Sequence, residues 1–523
     1  MDPLLKPSPA AKMSLASSRT KHTCPISILS DNLLLLIFQA LVDDMYCDDD
    51  ERLDCFTLTS VCCRWRLLVL STPLFWKRLH MVVKPRALSS ARLDTCVKRS
   101  ANALVDVVIY LPYLPNSRGM RVNKPSNLPR TEACLKVLQD CSHRWRSLRV
   151  IIIRQESDYI MTDIFNLVLS RLSLSHAPAL HDVEIICPSS LAWVTWVKNP
   201  FQLLSSPSLR KLKLHGCDSK ILPRPFDASS LTHLSLNFFR EYDDIQNSHV
   251  AFHNLLLSAR NLTSLEVHQR VFLMEHAETS GELEPVTLPI LRTLSISMGT
   301  EMPAYLSGIL RTINAPNLLH FSVYSDSLVR KENSLLDFSS PAFFLSQDQA
   351  PKFPLVRKLT MKNVLQSVHG PGKNIHSIFT AFRHVEDVVL DQDVREIVDY
   401  LALESYDRNA PPPWPCLRRL TIEMPSMTKF HYIQQLLEWL RLRRTSRLLQ
   451  PMVVIRYQLQ GCGANDARDL TKTRRIVNDA MGYCAPDTKV VMKQLGQLGA
   501  LVDLRIIDEW FPCRKVYATI SEA

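Results

Sequence analysis

Glycine is nearly missing from this chain: 12 of 523 residues, about 2% against a usual ~7%. So few glycines leave few places where backbone can close around a phosphate. Gly370-Pro371-Gly372-Lys373 has Ser367 where a phosphate loop needs its first glycine, and Asn374 where it needs Ser or Thr. Gly461-Cys462-Gly463 is too short for a dinucleotide loop. His-Glu-x-x-His, Gly-x-Ser-x-Gly and the kinase motif set are absent from the sequence. The 14 cysteines, about 3% of the chain, are too sparse to staple a protein of this length. The vicinal pair Cys62-Cys63 lacks metal spacing and is predicted to pack within a helix, and Cys134, Cys141 and His143 have no fourth ligand nearby. The longest strongly apolar run is Leu33 to Phe38, far short of the ~20 residues of a membrane helix. The first residues carry no apolar segment of signal-peptide type, Met1-Asp2 excludes myristoylation, and Ile520-Ser521-Glu522-Ala523 lacks a prenylation cysteine. These absences predict a soluble protein of the cytoplasm or nucleus with reduced thiols. They also predict that it is not an enzyme and uses no cofactor or metal.

Charge of one sign is not dominant either. The balance is 62 − 51 = +11, with a pI near 9.0, which permits an acidic partner without requiring one. Zinc-finger spacing and a long basic block are both absent, so a nucleic-acid partner is not expected, and neither is a membrane. Arg441, Arg443, Arg444 and Arg447 are predicted to form the solvated basic end of a helix.

What is present is an ordinary globular balance, 46% hydrophobic and 22% charged, with 32 prolines marking many short elements. The length allows about three to four domains. Residues 1–23 read as a disordered lead. Asp31 is predicted to cap a helix from Asn32 to about Val42. An acidic stretch from Asp43 to Asp54 reads as a solvated loop, after which apolar spacing returns through Phe56, Leu58, Val61, Trp65, Leu67, Leu68 and Leu70. Thr72 then caps a short turn with Pro73 at its first helical position. Leu33 to Phe38 cover every direction of a helix, so that helix needs burial on all sides. A segment of this size has one small core, so a second surface must come from the rest of the chain or from a partner.

Three ordered blocks carry a resemblance: Ile28-Leu29-Ser30-Asp31-Asn32-Leu33-Leu34-Leu35-Leu36-Ile37-Phe38, Leu58-Thr59-Ser60-Val61-Cys62-Cys63-Arg64-Trp65-Arg66, and Ser71-Thr72-Pro73-Leu74-Phe75-Trp76-Lys77-Arg78-Leu79. Residues 24–80 resemble an F-box, with Ser30 where the family has proline and Asn32 where it has glutamate. The resemblance implies a small helical domain that docks a Skp-family adaptor and, through it, a cullin. The implied adaptor contacts are Leu29, Leu33, Leu36, Ile37, Trp65 and Trp76, with Phe38 and Leu68 mainly in the domain's own core.

Behind this segment a Leu-x-x-Leu-x-Leu unit recurs at Leu209/Leu212/Leu214, Leu231/Leu234/Leu236, Leu262/Leu265/Val267 and Leu291/Leu294/Ile296. It continues at Leu318/Phe321/Val323, Val356/Leu359/Met361, Val385/Val388/Leu390 and Leu417/Leu420/Ile422. Starts lie about 30 residues apart, in the range of leucine-rich repeats. Weaker copies stand at Leu104/Val107/Ile109, Trp145/Leu148/Val150, Leu180/Val183/Ile185 and Leu501/Leu504/Ile506. Helical spacing fills stretches such as Ala251–Ser258, Ile375–Phe382 and Tyr432–Leu442, and proline often precedes the strand, where it helps end the crossover. The expected fold is therefore α/β: a helical domain over 24–80, a linker over 81–103, an irregular leucine-rich-repeat-like solenoid over 104–511 and a tail over 512–523. This resembles the irregular repeats that follow F-boxes in large fungal families. The Asn or Cys position of regular repeats is met only by Cys217.

In such a solenoid the polar strand positions line one concave surface that suits a protein target. They include Lys211, Lys213, His215, His233, Asn237, Glu266, His268, His320, Tyr324, Lys358, Lys362, Asp387, Asp391, Arg419 and Glu423. The functional expectation is the substrate-recognition subunit of an SCF-type ubiquitin ligase with no catalytic residue of its own. The alternative is an interaction scaffold outside ubiquitination.

Overall fold

The computed structural model describes residues 25–44, 55–83, 89–111, 128–152, 160–173, 176–187, 202–217, 221–222, 226–237, 248–268, 271, 283–298, 303–325, 344–345, 350–362, 375–390, 397, 414–424, 436, 439–440, 443, 452–458, 501–507 and 515–519. The predicted lead, positions 45–54 of the acidic stretch and Asp391 lie outside them; Asp43 and Asp44, expected in the loop, are instead the last residues of the first helix. The chain divides into two compact units, Met1–Trp76 and Lys77–Ala523.

The described part of the first unit is built of helices α1 (Asp31–Asp44), α2 (Cys55–Val61) and α3 (Cys63–Ser71), with 3-10 turns at Pro25–Ile28 and Pro73–Trp76. The cap of α1 is Ser30 rather than the predicted Asp31. The Ser30 hydroxyl faces the Leu33 N–H at 3.4 Å, satisfying one of the orphan donors of the first turn. Asp31 instead pairs with Arg64, Nη2 to Oδ1 2.7 Å, and the same guanidinium donates to the Leu29 carbonyl at 2.5 Å. Cys62 adopts an extended backbone that separates α2 from α3, and its sulfur accepts the Trp65 N–H at 3.5 Å. Cys62 and Cys63 are exposed, so the expectation that they pack in a helix is corrected: one is a cap and the other opens the next helix. Helix α3 stops before Thr72 and Pro73 starts the turn as predicted, but the Thr72 hydroxyl donates back to the Leu68 carbonyl at 2.8 Å and closes α3 rather than capping the turn. Leu34, Phe38, Leu58, Val69, Phe75 and Trp76 are the buried apolar core. Phe38 meets Trp65 edge-on at 4.5 Å between centroids, and Phe56 meets Trp76 at 5.2 Å.

The second unit is mixed α/β with a large, mostly parallel sheet. Its strands are β1 (Arg78–Val82), β2 (Val105–Leu111), β3 (Trp145–Ile152), β4 (Asp182–Ile186), β5 (Lys211–His215), β6 (His233–Asn237), β7 (Ser264–His268), β8 (Val286–Thr287), β9 (Thr293–Met298), β10 (Ile313–Asn314), β11 (His320–Ser325), β12 (Lys358–Lys362), β13 (Asp387–Leu390), β14 (Arg419–Met424), β15 (Met452–Gln458), β16 (Leu501–Ile507) and β17 (Lys515–Thr519). Fifteen of them lie side by side in chain order, and β8 pairs with β10 separately. Every neighbouring pair in the large sheet is parallel except β16 with β17. Helices α4 (Ser90–Arg99), α5 (Leu128–Asp140), α6 (Ile160–Ser173), α7 (Ser248–Ser258), α8 (Pro303–Thr312) and α9 (Ile375–Ala381) occupy crossovers. The linker expected over 81–103 holds the end of β1 and all of α4 instead, and the expected tail holds β17. Of the predicted helix at 432–442, only positions 436, 439 and 440 are described.

All three apolar positions of all eight clear repeat copies are buried. The weaker copy at 104 departs: Val107 and Ile109 are buried, but Leu104 is exposed. Nine strands, from β4 to β14, are entered through the same turn. The N–H of the copy's first residue donates to the carbonyl three residues back, from Leu180 to Ala177 through Leu417 to Trp414, at 3.0–3.3 Å in nine successive copies. Pro178, Pro207, Pro289, Pro316, Pro354 and Pro415 fill the second position of six of these turns. Proline is pre-set for that position because its φ is fixed near the required value. The prolines thus form the turn itself as well as ending the crossover.

Neighbouring turns are tied by backbone. The carbonyls of His181, Arg210, Thr232, Thr263, Arg292, Leu319, Arg357 and Glu386 each accept two successive N–H groups from the next strand's entry, at 2.7–3.1 Å. Side chains reinforce this edge: Asn261 Nδ2 donates to the Ser229 carbonyl at 2.6 Å and Asn317 Nδ2 to the Pro289 carbonyl at 2.7 Å. The polar backbone groups of a buried entry are satisfied in this way.

Candidate interaction surfaces

Two surfaces collect the predicted site residues. The first is on the helical unit. Leu34 and Phe38, four residues apart on α1, face its core, whereas Leu33, Leu36, Ile37 and Leu41 are exposed. The helix therefore carries two apolar stripes at helical spacing, and one of them is open. Leu36 is the extreme case at 68% exposed. Of the other predicted adaptor contacts, Leu29 and Trp65 are half-buried, and Leu29 has its carbonyl taken by Arg64. Trp76 is buried to 1%, with its indole N–H on the Val69 carbonyl at 2.8 Å, so it packs the unit's interior rather than offering a contact. Ile28, Val61, Leu67 and Leu74 are exposed but absent from the sequence-derived set. Their apolar spacing was visible, but only burial separates core positions from open ones.

Nine of the thirteen large apolar side chains exposed among the described residues lie on this unit, which spans under a sixth of the chain. Scattered single leucines need no explanation, but four exposed apolar side chains at helical spacing on one helix are more than scatter.

The second surface is the polar face of the sheet. Parallel, in-register pairing brings Lys211, Lys213 and His215 abreast of His233, Ser235 and Asn237, then of Ser264, Glu266 and His268. The rows continue through Thr293, Ser295 and Ser297, His320, Ser322 and Tyr324, and Lys358, Thr360 and Lys362, to Asp387, Val389, Arg419, Thr421 and Glu423. The described strip residues therefore share one face. Two residues outside the sequence-derived set join them: Glu184 bridges Arg149 (2.7 Å) and Lys213 (2.9 Å) across β3, β4 and β5. Their signal was the alternation in the weaker copies. Lys362 reaches over β13 to Glu423 at 2.5 Å. Asp106 on β2 likewise pairs with Arg146. Charges at both ends of the face are thus matched by neighbouring strands.

Between these ends the face is nearly uncharged. His215 Nε2 lies 3.1 Å from the Ser235 hydroxyl, and the His215 and His268 rings sit 5.5 Å apart. Burial above all, with Lys213 and His268 adding to it, pushes the His215 pKa down to about 3, so the imidazole is neutral at pH 7. His268 and the Ser235 hydroxyl hold the Glu266 carboxyl below the usual carboxylate range against the opposing effect of burial. The side-chain amide oxygen of Asn237, Oδ1, is enclosed between the two imidazole-bearing strands with no donor, whereas its backbone carbonyl accepts the Gly216 N–H at 2.6 Å. Gly216 shapes the end of β5: its φ is +68°, and a Cβ there would lie 2.3 Å from the Cys187 carbonyl oxygen.

The chain matches no protein-family model and no curated protein.

A neutral His215 with so low a pKa is a poor general base near neutral pH, so the Ser235–His215 contact does not make an activated nucleophile. Among the described residues no three His, Cys, Asp or Glu side chains are placed to hold a metal ion, including around Cys134 and Cys141, which are buried. Among them, too, no helix is long and apolar enough to cross a membrane. Arg443, predicted to be solvated, is instead buried against Trp439 and donates to the Trp414 carbonyl at 3.2 Å.

Proposed function

We propose that this protein is a substrate receptor of an SCF-type cullin–RING ubiquitin ligase. The helical unit is read as an F-box that docks a Skp-family adaptor and through it a cullin. The stacked strand–turn–helix copies are read as an irregular leucine-rich-repeat-like solenoid whose polar strand face takes a protein target. Catalysis is positional: holding a lysine-bearing target beside a ubiquitin-charged partner raises its effective concentration. The observation that carries the reading is the open stripe of Leu33, Leu36, Ile37 and Leu41 on a helix whose other stripe already fills its core. Leaving such side chains in water forgoes roughly 1.5–3 kcal/mol each at full burial, a cost that a partner surface removes.

Co-expression of the full chain with a Skp-family adaptor, followed by size-exclusion chromatography, tests this. One-to-one co-elution is expected. A folded full chain that elutes alone transfers the reading to an interaction scaffold outside ubiquitination.

A further inference from the structure

The nine shared strand entries carry much of the chain's excess charge. From the second position of each turn to the first residue of its strand, they hold nine lysines and arginines against three carboxylates. That is a balance of +6 within a chain of +11. The excess gathers between β7 and β14, where seven of these cations stand against two carboxylates, Glu386 and Asp387. Glu386 is shared, with Arg357 Nη1 at 2.9 Å and Arg418 Nε at 3.4 Å, and Asp387 lies 3.9 Å from Arg419. Arg260, Arg292, Lys358 and Arg383 are exposed, and none has a carboxylate within 4 Å among the described residues.

Parallel pairing sets these entries side by side, one per strand. Like charges on neighbouring strands repel, and the fold does not call for them there. Thr232 and Thr263 occupy the places that Arg292 and Arg357 occupy on later strands, with the same backbone bonds. Two of the four large apolar side chains exposed in the second unit lie on the same edge: Ile290 and Leu355, two residues before Arg292 and Arg357. The entry N–H groups are already spent on the neighbouring carbonyls, so the edge recognises through side chains and not by adding a strand. The nine entries contain no Phe, Tyr or Trp on which bases could stack, which argues against single-stranded nucleic acid. Open cations beside open apolar groups suit a segment that carries both carboxylates and an apolar side chain.

We propose that the entry edge from β7 to β14 docks an acidic segment of the target protein. Its Asp or Glu side chains meet Arg260, Arg292, Lys358 and Arg383, and an apolar side chain lies against Ile290 and Leu355. This rests on the receptor reading for calling the partner a target, and it extends the target surface from the polar strand face to the edge beside it. Five strand gaps of ~4.8 Å make the edge about 24 Å long, the span of about seven extended residues at ~3.3 Å each. A guanidinium takes a carboxylate through two parallel bonds, which orients the segment as well as holding it.

Fluorescence anisotropy of a labelled peptide of about ten residues, glutamates interspersed with leucines, titrated with the full chain, tests the proposal. Binding is expected, and it should weaken with salt because the edge is exposed. A copy with lysine in place of each glutamate is expected not to bind. Arg260→Ala with Arg292→Ala should weaken binding of the acidic peptide about tenfold, a loss of roughly 1.4 kcal/mol. Neither side chain has an ion-pair partner, so an unaltered melting curve is expected and separates loss of the edge from loss of fold. Lys98→Ala, on α4, should leave binding unchanged. No binding of the acidic peptide, equal binding of the lysine copy, or indifference to the double variant would overturn it. So would a preference for a single-stranded oligonucleotide or for anionic phospholipid vesicles. Adaptor co-elution is measured independently, so failure here with co-elution intact refutes the edge and leaves the receptor reading standing.

Discussion

The two units solve the burial problem in opposite ways. In the repeat unit every apolar strand position of the clear copies is buried, and the residues alternating with them are mostly polar, with ion pairs across strands at both ends of the face. In the helical unit the core is six residues, and four leucines and isoleucines are exposed on α1 alone. The difference teaches that hydrophobic content does not by itself say how complete a structure is. A parallel stack supplies each strand with two neighbours, so each copy finishes the burial of the last. Three short helices make one small core, and part of their apolar surface stays exposed among the described residues.

The largest way to break this contrast is to damage the core on each side. Phe38→Ala should destabilise the helical unit by about 3–5 kcal/mol, and Leu265→Ala should cost the repeat unit about 2–5 kcal/mol. Hydrogen exchange is expected to localise the first loss to residues 31–76 and the second to the strands around β7. Exchange rising uniformly across both units in either variant would mean that they fold as one.

Next in size is Gly216→Ala. The left-handed backbone costs about 1–2 kcal/mol for a residue with a Cβ, and the clash with Cys187 adds to it. A melting temperature equal to that of the unaltered protein would contradict the geometry. Smaller again is Asn261→Ala, which removes one bond of the turn ladder and should cost about 1 kcal/mol.

Acid separates the units more gently. The His215 pKa is about 3 in the folded state and near 6.5 in the unfolded chain. Above pH 6.5 both states are neutral there. As pH falls from 6.5 towards 3 the unfolded chain takes up a proton that the folded one refuses, so stability is lost across that window and levels off below it. His215→Gln is expected to flatten this branch of the denaturation-midpoint curve for the repeat unit. A branch equally steep in the variant would place the acid sensitivity elsewhere.

Much of the repeat unit was legible because buried alternation is written in side chains. Leu209, Leu212 and Leu214 and their successors needed only spacing to be found. The turn ladder was not legible, because its acceptors are backbone carbonyls such as those of Thr232 and Leu319, which any residue supplies. Strand β1 was hidden because Arg78 to His80 closed the F-box-like block while Met81 and Val82 opened the expected linker. Glu184 and Arg149 became neighbours only through register. In the helical unit the sequence marked α1 as too apolar for one core, but not which stripe faced inward. Trp76 shows the limit, since a tryptophan of a contact motif and one of a core look alike until burial is known.

The account stands most directly on the open stripe of α1. Leu33→Asp with Ile37→Asp places two charges on it without touching Leu34 or Phe38. Titrating the full-length double variant against a purified Skp-family adaptor by calorimetry should show binding lost, with the melting curve unchanged. A folded variant that still binds the adaptor as tightly as the unaltered protein would contradict the docking surface, and with it the reading of this unit.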